Sequence, residues 1–270
     1  MLDTIKKEWG AQVALALLIF LSIWWYALAI SGVKESFPNY LFGASYGVMA
    51  AWGGLWGLSI ARAWGWTRSL MGKAILVLSL GLLSEEFGQL VFSYYNIFAG
   101  VVLPYPSLAD VGFFGNIPFY LIGIVLLGKA SGMQFTLKKL YHKIQLVLLP
   151  AAMLLVSYLF FLQSYELDWS NPLKIFLDFG YPMGQAIYVS IALLVYSLSK
   201  NILGGIMRGK ILFLVVAFIA QYAADFNFLF QSSRGTWNNG GYGDYLYLFA
   251  YFLMVLGLFQ LKTVMRKLRG

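Results

Sequence analysis

The sequence contains no cysteine and a single histidine, His142. Without cysteine the chain cannot form disulfides, thiolate metal sites or iron–sulfur clusters, and it cannot use a cysteine nucleophile. One histidine also excludes a multi-histidine metal site and a bis-histidine haem within this chain. We therefore expect no metal and no resident cofactor. A hydrophobic or cationic small ligand remains compatible with the composition.

Charged residues are scarce as well, at 11% of the 270 residues, against about 25% in a soluble globular protein. Apolar and aromatic residues make up 60% of the chain, and the mean hydropathy is +0.74. Such a surface suits lipid, so the sequence predicts an integral membrane protein. No linker or low-complexity stretch divides it. We expect residues 1–270 to form a single integral membrane domain, without a soluble or attached output domain.

A helix needs roughly 20 mostly apolar residues to cross about 30 Å of hydrocarbon. Eight such runs follow one another, separated by polar breaks or breaks that contain Gly and Pro. They predict an all-α bundle of four transmembrane hairpins, with spans at residues 11–31, 40–61, 73–98, 110–128, 144–163, 173–199, 210–231 and 244–262.

Sixteen of the 19 Lys and Arg residues flank one side of these spans, whereas Lys34, Lys174 and Arg234 flank the other. By the positive-inside rule, this asymmetry predicts cytoplasmic termini and a multi-pass location in the cell (inner) membrane. Topology and anionic lipid then explain the net charge of +8, so we expect the lipid bilayer as partner and no nucleic acid. A signal peptide cleaved after residues 27–29 is the alternative for the first span. The length of that span favours a retained helix.

Acids inside the predicted spans are informative, because a charge at the centre of a membrane helix costs about 2.5–3.5 kcal/mol. Counted along the helices from the span ends, Glu85, Asp178 and Asp225 fall at one depth in the outer half of the bilayer. Glutamines at helical spacing share faces with these acids. The predicted ligand- or ion-binding site comprises Glu85, Glu86, Gln89, Asp178, Tyr181, Gln185, Gln221 and Asp225.

These side chains predict a polar, tyrosine-lined cavity in the outer half of the bundle. Spans three to eight contain no central Lys, Arg or His that could balance the acids. A carboxylate without a cation at low dielectric either takes up a proton or holds a cation or an amine-bearing ligand.

Four residues are predicted at the outer mouth of this cavity: Tyr94, Tyr95, Asp110 and Asp244. A structural role is an alternative for both acids. Ser107 and Asp110 have the spacing of a helix capping box, and Asp244 follows a glycine-containing turn. Asn171 and Pro172 likewise form a typical helix start. For Asp178, the alternative is a bond to the backbone of a neighbouring helix.

In three adjacent predicted hairpins, the second helix begins with an acid. These acids, Asp110, Asp178 and Asp244, are 68 and 66 residues apart. This spacing fits a fourfold repeat of one hairpin. Eight similar spans at even spacing would give the same pattern, so both interpretations stay open.

Several enzyme and cofactor classes are excluded. The last span has no lysine for a retinal Schiff base before Lys262 at its inner end. His142 lies in a basic segment, residues 135–143, which we expect to be amphipathic and on the inner membrane surface. A Ser-His-Asp hydrolase would need a histidine within the membrane. We therefore do not expect an enzyme.

Five stretches occur in the order seen in a known module: Tyr94-Tyr95, residues 104–110 (PYPSLAD), residues 178–182 (DFGYP), Ala224-Asp225 and, after a Gly-rich loop, Gly243-Asp244. They resemble the polytopic N-terminal sensor module of bacterial signalling proteins with diguanylate cyclase, phosphodiesterase or histidine kinase domains. The resemblance covers spans three to eight. It implies an outward-facing membrane sensor that, as a stand-alone chain, acts through a cytoplasmic or membrane signalling partner. In this sequence Gln185 replaces an acid that is common in such modules.

Three functions remain in order of preference. The first is a membrane-embedded sensor or small-ligand-binding module, and the second is a small transporter or a cation or proton pathway. A lipid-modifying enzyme that uses only Glu and Asp comes last. The inner halves of the spans are mostly Leu, Val, Ile and Gly, which favours binding over conduction.

Overall fold

The computed structural model describes residues 2–101, 104–132, 140–163, 165, 167–198 and 207–269, which form helices and no β-strand. The helices are α1 (Leu2–Lys7), α2 (Trp9–Ser31), α3 (Phe37–Ser45), α4 (Val48–Ala63), α5 (Leu70–Ser93), α6 (Leu108–Ala130), α7 (Leu140–Ser157), α8 (Pro172–Leu198), α9 (Arg208–Ser233) and α10 (Tyr242–Arg269). A 3₁₀ turn, Trp66–Arg68, precedes α5, and π-helical segments extend α5 (Tyr94–Ala99) and α7 (Tyr158–Leu162). The all-α prediction is confirmed.

Seven of the described helices are long and apolar enough to cross a membrane: α2, α5, α6, α7, α8, α9 and α10. This confirms the prediction of a multi-pass membrane protein at the level of helix length and composition. The predicted span at 40–61 differs from the others because the chain there forms two helices, α3 of nine residues and α4 of 16.

The break between α3 and α4 falls at Tyr46 and Gly47, where side chains of α5 contact the backbone. In a continuous helix the carbonyl of Gly43 would accept the amide of Gly47. Instead, this carbonyl accepts a hydrogen bond from Gln89 Nε2. A Cβ on Gly47 would lie 2.3 Å from Glu86 Oε2, so a larger residue would have to displace that carboxylate. Contacts with α5 thus explain an interruption that hydropathy does not reveal.

Helices α5 and α6 approach closely along a line of small residues, as is common between membrane helices. A Cβ on Gly123 would lie 2.6 Å from a methyl carbon of Leu78. Ser84 Oγ donates a hydrogen bond of 2.7 Å to the carbonyl of Gly112. This close approach fixes the register of α5 and α6, and the register positions the polar side chains described below.

Helix α10 lies at the centre of the bundle, because 78% of its most apolar stretch is buried, compared with 11% in α2 and 6% in α7. Helix α10 packs against α2, α4 and α9. Three leucine or valine side chains of α10 are fully buried, namely Leu248, Val255 and Leu261, as is Leu214 of α9. The low burial of α2 and α7 leaves broad apolar faces for lipid.

The two ends of the described chain meet at the same end of the bundle. Glu8 Oε2 lies 2.7 Å from Lys262 Nζ, and Glu8 Oε1 lies 2.6 Å from Arg266 Nη1. At the opposite end of α2, the Trp25 ring stacks on Tyr245 with 4.4 Å between ring centres. Helices α2 and α10 are therefore antiparallel neighbours.

Two predicted helix starts are confirmed. Ser107 and Asp110 form a reciprocal capping box at the start of α6. Asn171 Oδ1 accepts the amide of Lys174 at 3.1 Å, and Pro172 is the first residue of α8. The predicted amphipathic segment at 135–143 lies mostly outside the described residues, as does the side chain of His142.

Candidate functional site

Glu85 of α5 is 1% exposed and accepts hydrogen bonds from three other helices. Asn116 Nδ2 of α6 and Gln221 Nε2 of α9 donate to Glu85 Oε1, the latter at 3.0 Å. Tyr251 of α10 donates its hydroxyl to Oε2 at 3.1 Å. Asn116 follows Gly112 by one helical turn, so the close packing of α5 and α6 brings its amide to Glu85.

Asp225 of α9 is the second carboxylate of this group and also accepts three hydrogen bonds. Gln185 Nε2 of α8 donates to Asp225 Oδ2 at 2.7 Å, and Gln221 Nε2 donates to the same oxygen at 3.2 Å. The hydroxyl of Tyr247 donates to Oδ1 at 2.7 Å. Gln221 and Asp225 are neighbours on one face of α9, as predicted from their i, i+4 spacing.

One amide nitrogen, Gln221 Nε2, therefore links the two carboxylates. We call the whole group the carboxylate network, and its members are Glu85, Asn116, Gln185, Gln221, Asp225, Tyr247 and Tyr251. All donors in the network are neutral, and the ion pairs of the described ranges involve Asp178 and Glu8 instead. In the same ranges, no group of three or more His, Asp or Glu side chains is placed to hold a metal ion.

Three tyrosine rings line one side of the network. Tyr46, at the break between α3 and α4, stacks against Tyr247 and Tyr251 with ring-centre distances of 6.2 and 6.1 Å. The Tyr46 hydroxyl donates to Gln89 Oε1 at 2.8 Å. Gln89 also donates to the Gly43 carbonyl, so the helix break lies beside the network and contacts it through the tyrosine rings.

Glu86 does not join Glu85 and Asp225, because the next residue of a helix points about 100° away. Its carboxylate lies against Gly47 instead, and Oε2 is buried without a hydrogen-bond partner among the residues that the structure describes. The prediction that Glu85, Glu86 and Asp225 face one shared site is thus wrong for Glu86.

Asp178 is also separate from the network. It pairs with Lys174 at 2.7 Å and accepts the hydroxyls of Tyr105 at 2.8 Å and Tyr165 at 2.5 Å. Burial and the hydrogen bond to Asp178 raise the pKa of both tyrosine hydroxyls, so they remain donors at neutral pH. Tyr181, on the same predicted stripe of α8, donates its hydroxyl to Asp110 at 2.8 Å, and Gln185 donates to Asp225. The three residues of the stripe therefore have different hydrogen-bond partners.

The residues predicted at the outer mouth lie apart from the two carboxylates. Asp110 belongs to the capping box and to the Tyr181 contact. Asp244 is 2% exposed and accepts the amide of Gly240 at 2.6 Å, which supports its structural interpretation. Tyr94 is 59% exposed in the π-helical segment, and its ring packs against Tyr95.

Sequence reasoning did not select Asn116, Tyr46, Tyr247 or Tyr251 for the site. The spacing of the last two from Asp244, i, i+3 and i, i+7, had assigned them to the predicted tyrosine lining, although not to the ligand-binding residues. Tyr46 has no such signal, because it reaches Gln89 only through the interrupted helix. Asn116 could have been noted as an amide within an otherwise apolar span.

The predicted cavity is replaced, in the described structure, by side chains in direct contact: Glu85, Gln185 and Gln221 are each at most 2% exposed. A cleft of about 230 Å³ lies elsewhere, between the end of α2 and the loop before α10. Trp25, Lys34 and Asn238 line it, and none of its lining residues belongs to the carboxylate network. A ligand at Glu85 or Asp225 must therefore displace existing donors.

No protein-family model, no curated protein and no solved structure matches the chain. A function is accordingly inferred from the side chains themselves.

Proposed function

We propose that the chain is a protein of the cell (inner) membrane with eight crossings and both termini in the cytoplasm. Seven long helices alone would leave the two ends on opposite sides. The contacts of Glu8 with Lys262 and Arg266 place the ends together, which supports an eighth crossing formed by α3 and α4. The basic asymmetry of the sequence supports the cytoplasmic orientation.

Within this topology, we infer that the protein is a sensor or small-ligand-binding module whose ligand is cationic. One observation carries this inference: Gln221 Nε2 joins Glu85 and Asp225, and all donors to the pair are neutral. Six such hydrogen bonds organise the pair for negative charge, which is costly in a membrane without a counter-charge. A cation or amine-bearing ligand supplies that charge.

One helix, α10, connects this pair to the end of the bundle that we assign to the cytoplasm. Tyr247 and Tyr251 of α10 contact the two carboxylates, and Lys262 of the same helix contacts Glu8. A ligand that displaces Tyr247 or Tyr251 would change the packing of α10 and hence the position of Lys262. This connection supports signalling through a cytoplasmic or membrane partner, as the resemblance to sensor modules implies.

A cation or proton pathway is the second candidate, and the unpartnered carboxylate oxygen of Glu86 favours it. The surroundings of the network favour binding instead. Tyr120, Tyr188 and Phe218 are fully buried and pack against one another, with ring centres 5.2 to 6.0 Å apart. Leu78 and Leu214 belong to the same buried core, and none of these five residues is an Asp, Glu, His, Lys or Arg.

Ligand-dependent melting of the purified full chain tests this proposal. Mass spectrometry of the protein in a mild detergent first identifies any bound small molecule. Melting curves are then recorded with tetramethylammonium, n-butylammonium and Na⁺. At least one cation or the co-purified molecule is expected to raise the melting temperature of the wild type, and Glu85→Gln and Asp225→Asn should lose that increase.

Asp110→Asn is the matched control, because it makes the same acid-to-amide change in the capping box. It should keep the full ligand-induced increase. An equal increase in all three variants would show that the carboxylate pair is structural. Uptake of the same cations into proteoliposomes would instead support the pathway.

A further inference from the structure

Outside the carboxylate network, Lys174 occupies a box made of one acid and two aromatic rings. Its Nζ lies 2.7 Å from Asp178 Oδ2. The same atom lies 5.7 Å from the ring centre of Tyr105 and 5.1 Å from that of Tyr165. Tyr105 precedes α6 and Tyr165 precedes α8, so two separate loops supply the aromatic walls. A carboxylate beside aromatic faces is an arrangement with which proteins bind ammonium groups.

The position of Lys174 is not explained by the electrostatics of its own helix. Lys174 lies in the first turn of α8, which begins at Pro172, and the positive end of the helix dipole disfavours a cation there. Asp178 follows it by four residues, and a lysine that precedes its acid is the less favourable order for such a pair. The surrounding box therefore holds the ammonium in place.

The walls of this box are fixed independently of Lys174. The hydroxyls of Tyr105 and Tyr165 both donate to the Asp178 carboxylate, at 2.8 and 2.5 Å. The Asp178 side chain is 13% exposed, whereas the Lys174 side chain is 38% exposed. The acid thus lies at the bottom of the box, and the side chain that fills it enters from the surface.

We propose that Asp178, Tyr105 and Tyr165 form a binding site for the primary ammonium group of a ligand, which Lys174 occupies as a tethered competitor. A free amine and the ethanolamine headgroup of a lipid both present this group. Binding of either would release Lys174, while the hydroxyls of Tyr105 and Tyr165 keep their hydrogen bonds to Asp178. The site is separate from the Glu85–Asp225 pair, and its proposal does not depend on the function proposed for that pair.

Calorimetric titration with n-butylammonium, which has the length and charge of a lysine side chain, tests the site. The full chain is placed in phosphatidylglycerol nanodiscs, whose headgroups carry no amine, and n-butanol is the uncharged control probe. Lys174→Met should bind n-butylammonium about tenfold more tightly than the wild type, because it removes a competitor with an effective concentration in the millimolar range. Adding Asp178→Asn to this variant should abolish the gain.

Two further titrations identify the source of the ammonium group and the site at which the probe binds. In phosphatidylethanolamine nanodiscs, weaker binding of the probe to Lys174→Met identifies the lipid headgroup as a ligand, and unchanged binding identifies a free amine. Asp225→Asn, added to Lys174→Met, should leave the gain of about tenfold in affinity over the matching Lys174 protein unchanged, since that gain comes from the vacated Asp178 site and not from the carboxylate network. Loss of the gain there would overturn the proposal.

Equal affinity of the wild type and Lys174→Met would also overturn it, as would a gain in affinity that persists after Asp178→Asn. If the Met variant does not fold, Lys174→Gln serves the same purpose. A measurement on the wild type is independent of both: the methyl resonances of reductively dimethylated Lys174 should shift as n-butylammonium displaces it from the two rings. No shift at saturating probe would contradict displacement.

Discussion

The backbones of Gly88 and Gly112 touch: a Cβ added to Gly112 would lie 2.3 Å from the amide nitrogen of Gly88. No side-chain movement can relieve this contact, because the obstructing atoms belong to the main chain of α5. The same contact places Asn116, one turn beyond Gly112, against Glu85. Two glycines in apolar spans therefore determine whether the carboxylate network can form.

Gly112→Ala should destabilise the protein, because overpacking at a rigid contact costs about 1–3 kcal/mol and occasionally more. A lower melting temperature in detergent is the expected result. Gly209→Ala is the control, since a Cβ at Gly209 meets no atom of the described residues within 4 Å. Its melting temperature should stay unchanged or rise slightly, because alanine favours a helix. If both variants had the same melting temperature, α5 and α6 could move apart at Gly112 without a loss of stability.

Glu85→Gln should be tolerated without loss of thermal stability. The remaining carbonyl oxygen can accept from Asn116 and Gln221, while the new amide can donate to Tyr251, whose hydroxyl can turn to accept. The substitution also removes a charge from the membrane interior, which is neutral or stabilising when the hydrogen bonds survive.

Glu85→Ala provides the contrast, because it leaves the donors of Asn116 and Tyr251 without an acceptor, while Gln221 keeps its hydrogen bond to Asp225. Each buried polar group left unpaired costs about 1–3 kcal/mol. The Ala variant should therefore melt well below both the wild type and Glu85→Gln. If the Gln variant melts as low as the Ala variant, the negative charge of Glu85 itself stabilises the fold.

Glu8→Gln should weaken the connection between the two ends of the chain. The Glu8 side chain is 3% exposed, while those of Lys262 and Arg266 are 19% and 54% exposed. We expect a loss of about 1–3 kcal/mol, below the range for a fully buried pair because Arg266 is half exposed. Thermal melting at low and high salt measures the loss and its screening. Asp3→Asn, an exposed acid on α1, should have no effect, and a similar loss there would point to general surface charge.

Composition and hydropathy were sufficient to predict an all-α membrane protein with long apolar helices, because burial in lipid constrains every turn of a span in the same way. The capping box of Ser107 and Asp110 was predictable for a related reason, since its geometry is local. The interruption at Tyr46 and Gly47 was not. It depends on Gln89 and Glu86 of a different helix, and hydropathy contains no information about such contacts.

The candidate site was also predictable only in part, because its members depend both on positions along single helices and on contacts between helices. Depth along a helix favoured Glu85 and Asp225, helical spacing added Gln221, and Gln221 Nε2 donates hydrogen bonds to both carboxylates. Depth alone could not assign Asp178, whose partners Tyr105 and Tyr165 come from loops of no recognisable periodicity. Asn116 depends on the contact of two glycines, and neighbouring helices must be in place before that contact exists.

The last prediction concerns the membrane topology, and above all whether the interrupted helix α3–α4 counts as a crossing. The chain has no native cysteine, so a single introduced cysteine reports its own position. Lys34 and Thr67 lie on either side of α3–α4, and Thr236 lies in the loop between α9 and α10; all three are exposed. Lys34→Cys and Thr236→Cys should react with an impermeant maleimide in intact cells, because both positions belong to the side poor in basic residues. Thr67→Cys should react only after permeabilisation. Labelling of both Lys34→Cys and Thr67→Cys in intact cells would mean that α3–α4 does not cross the membrane, and the proposed eight-crossing topology would then be wrong.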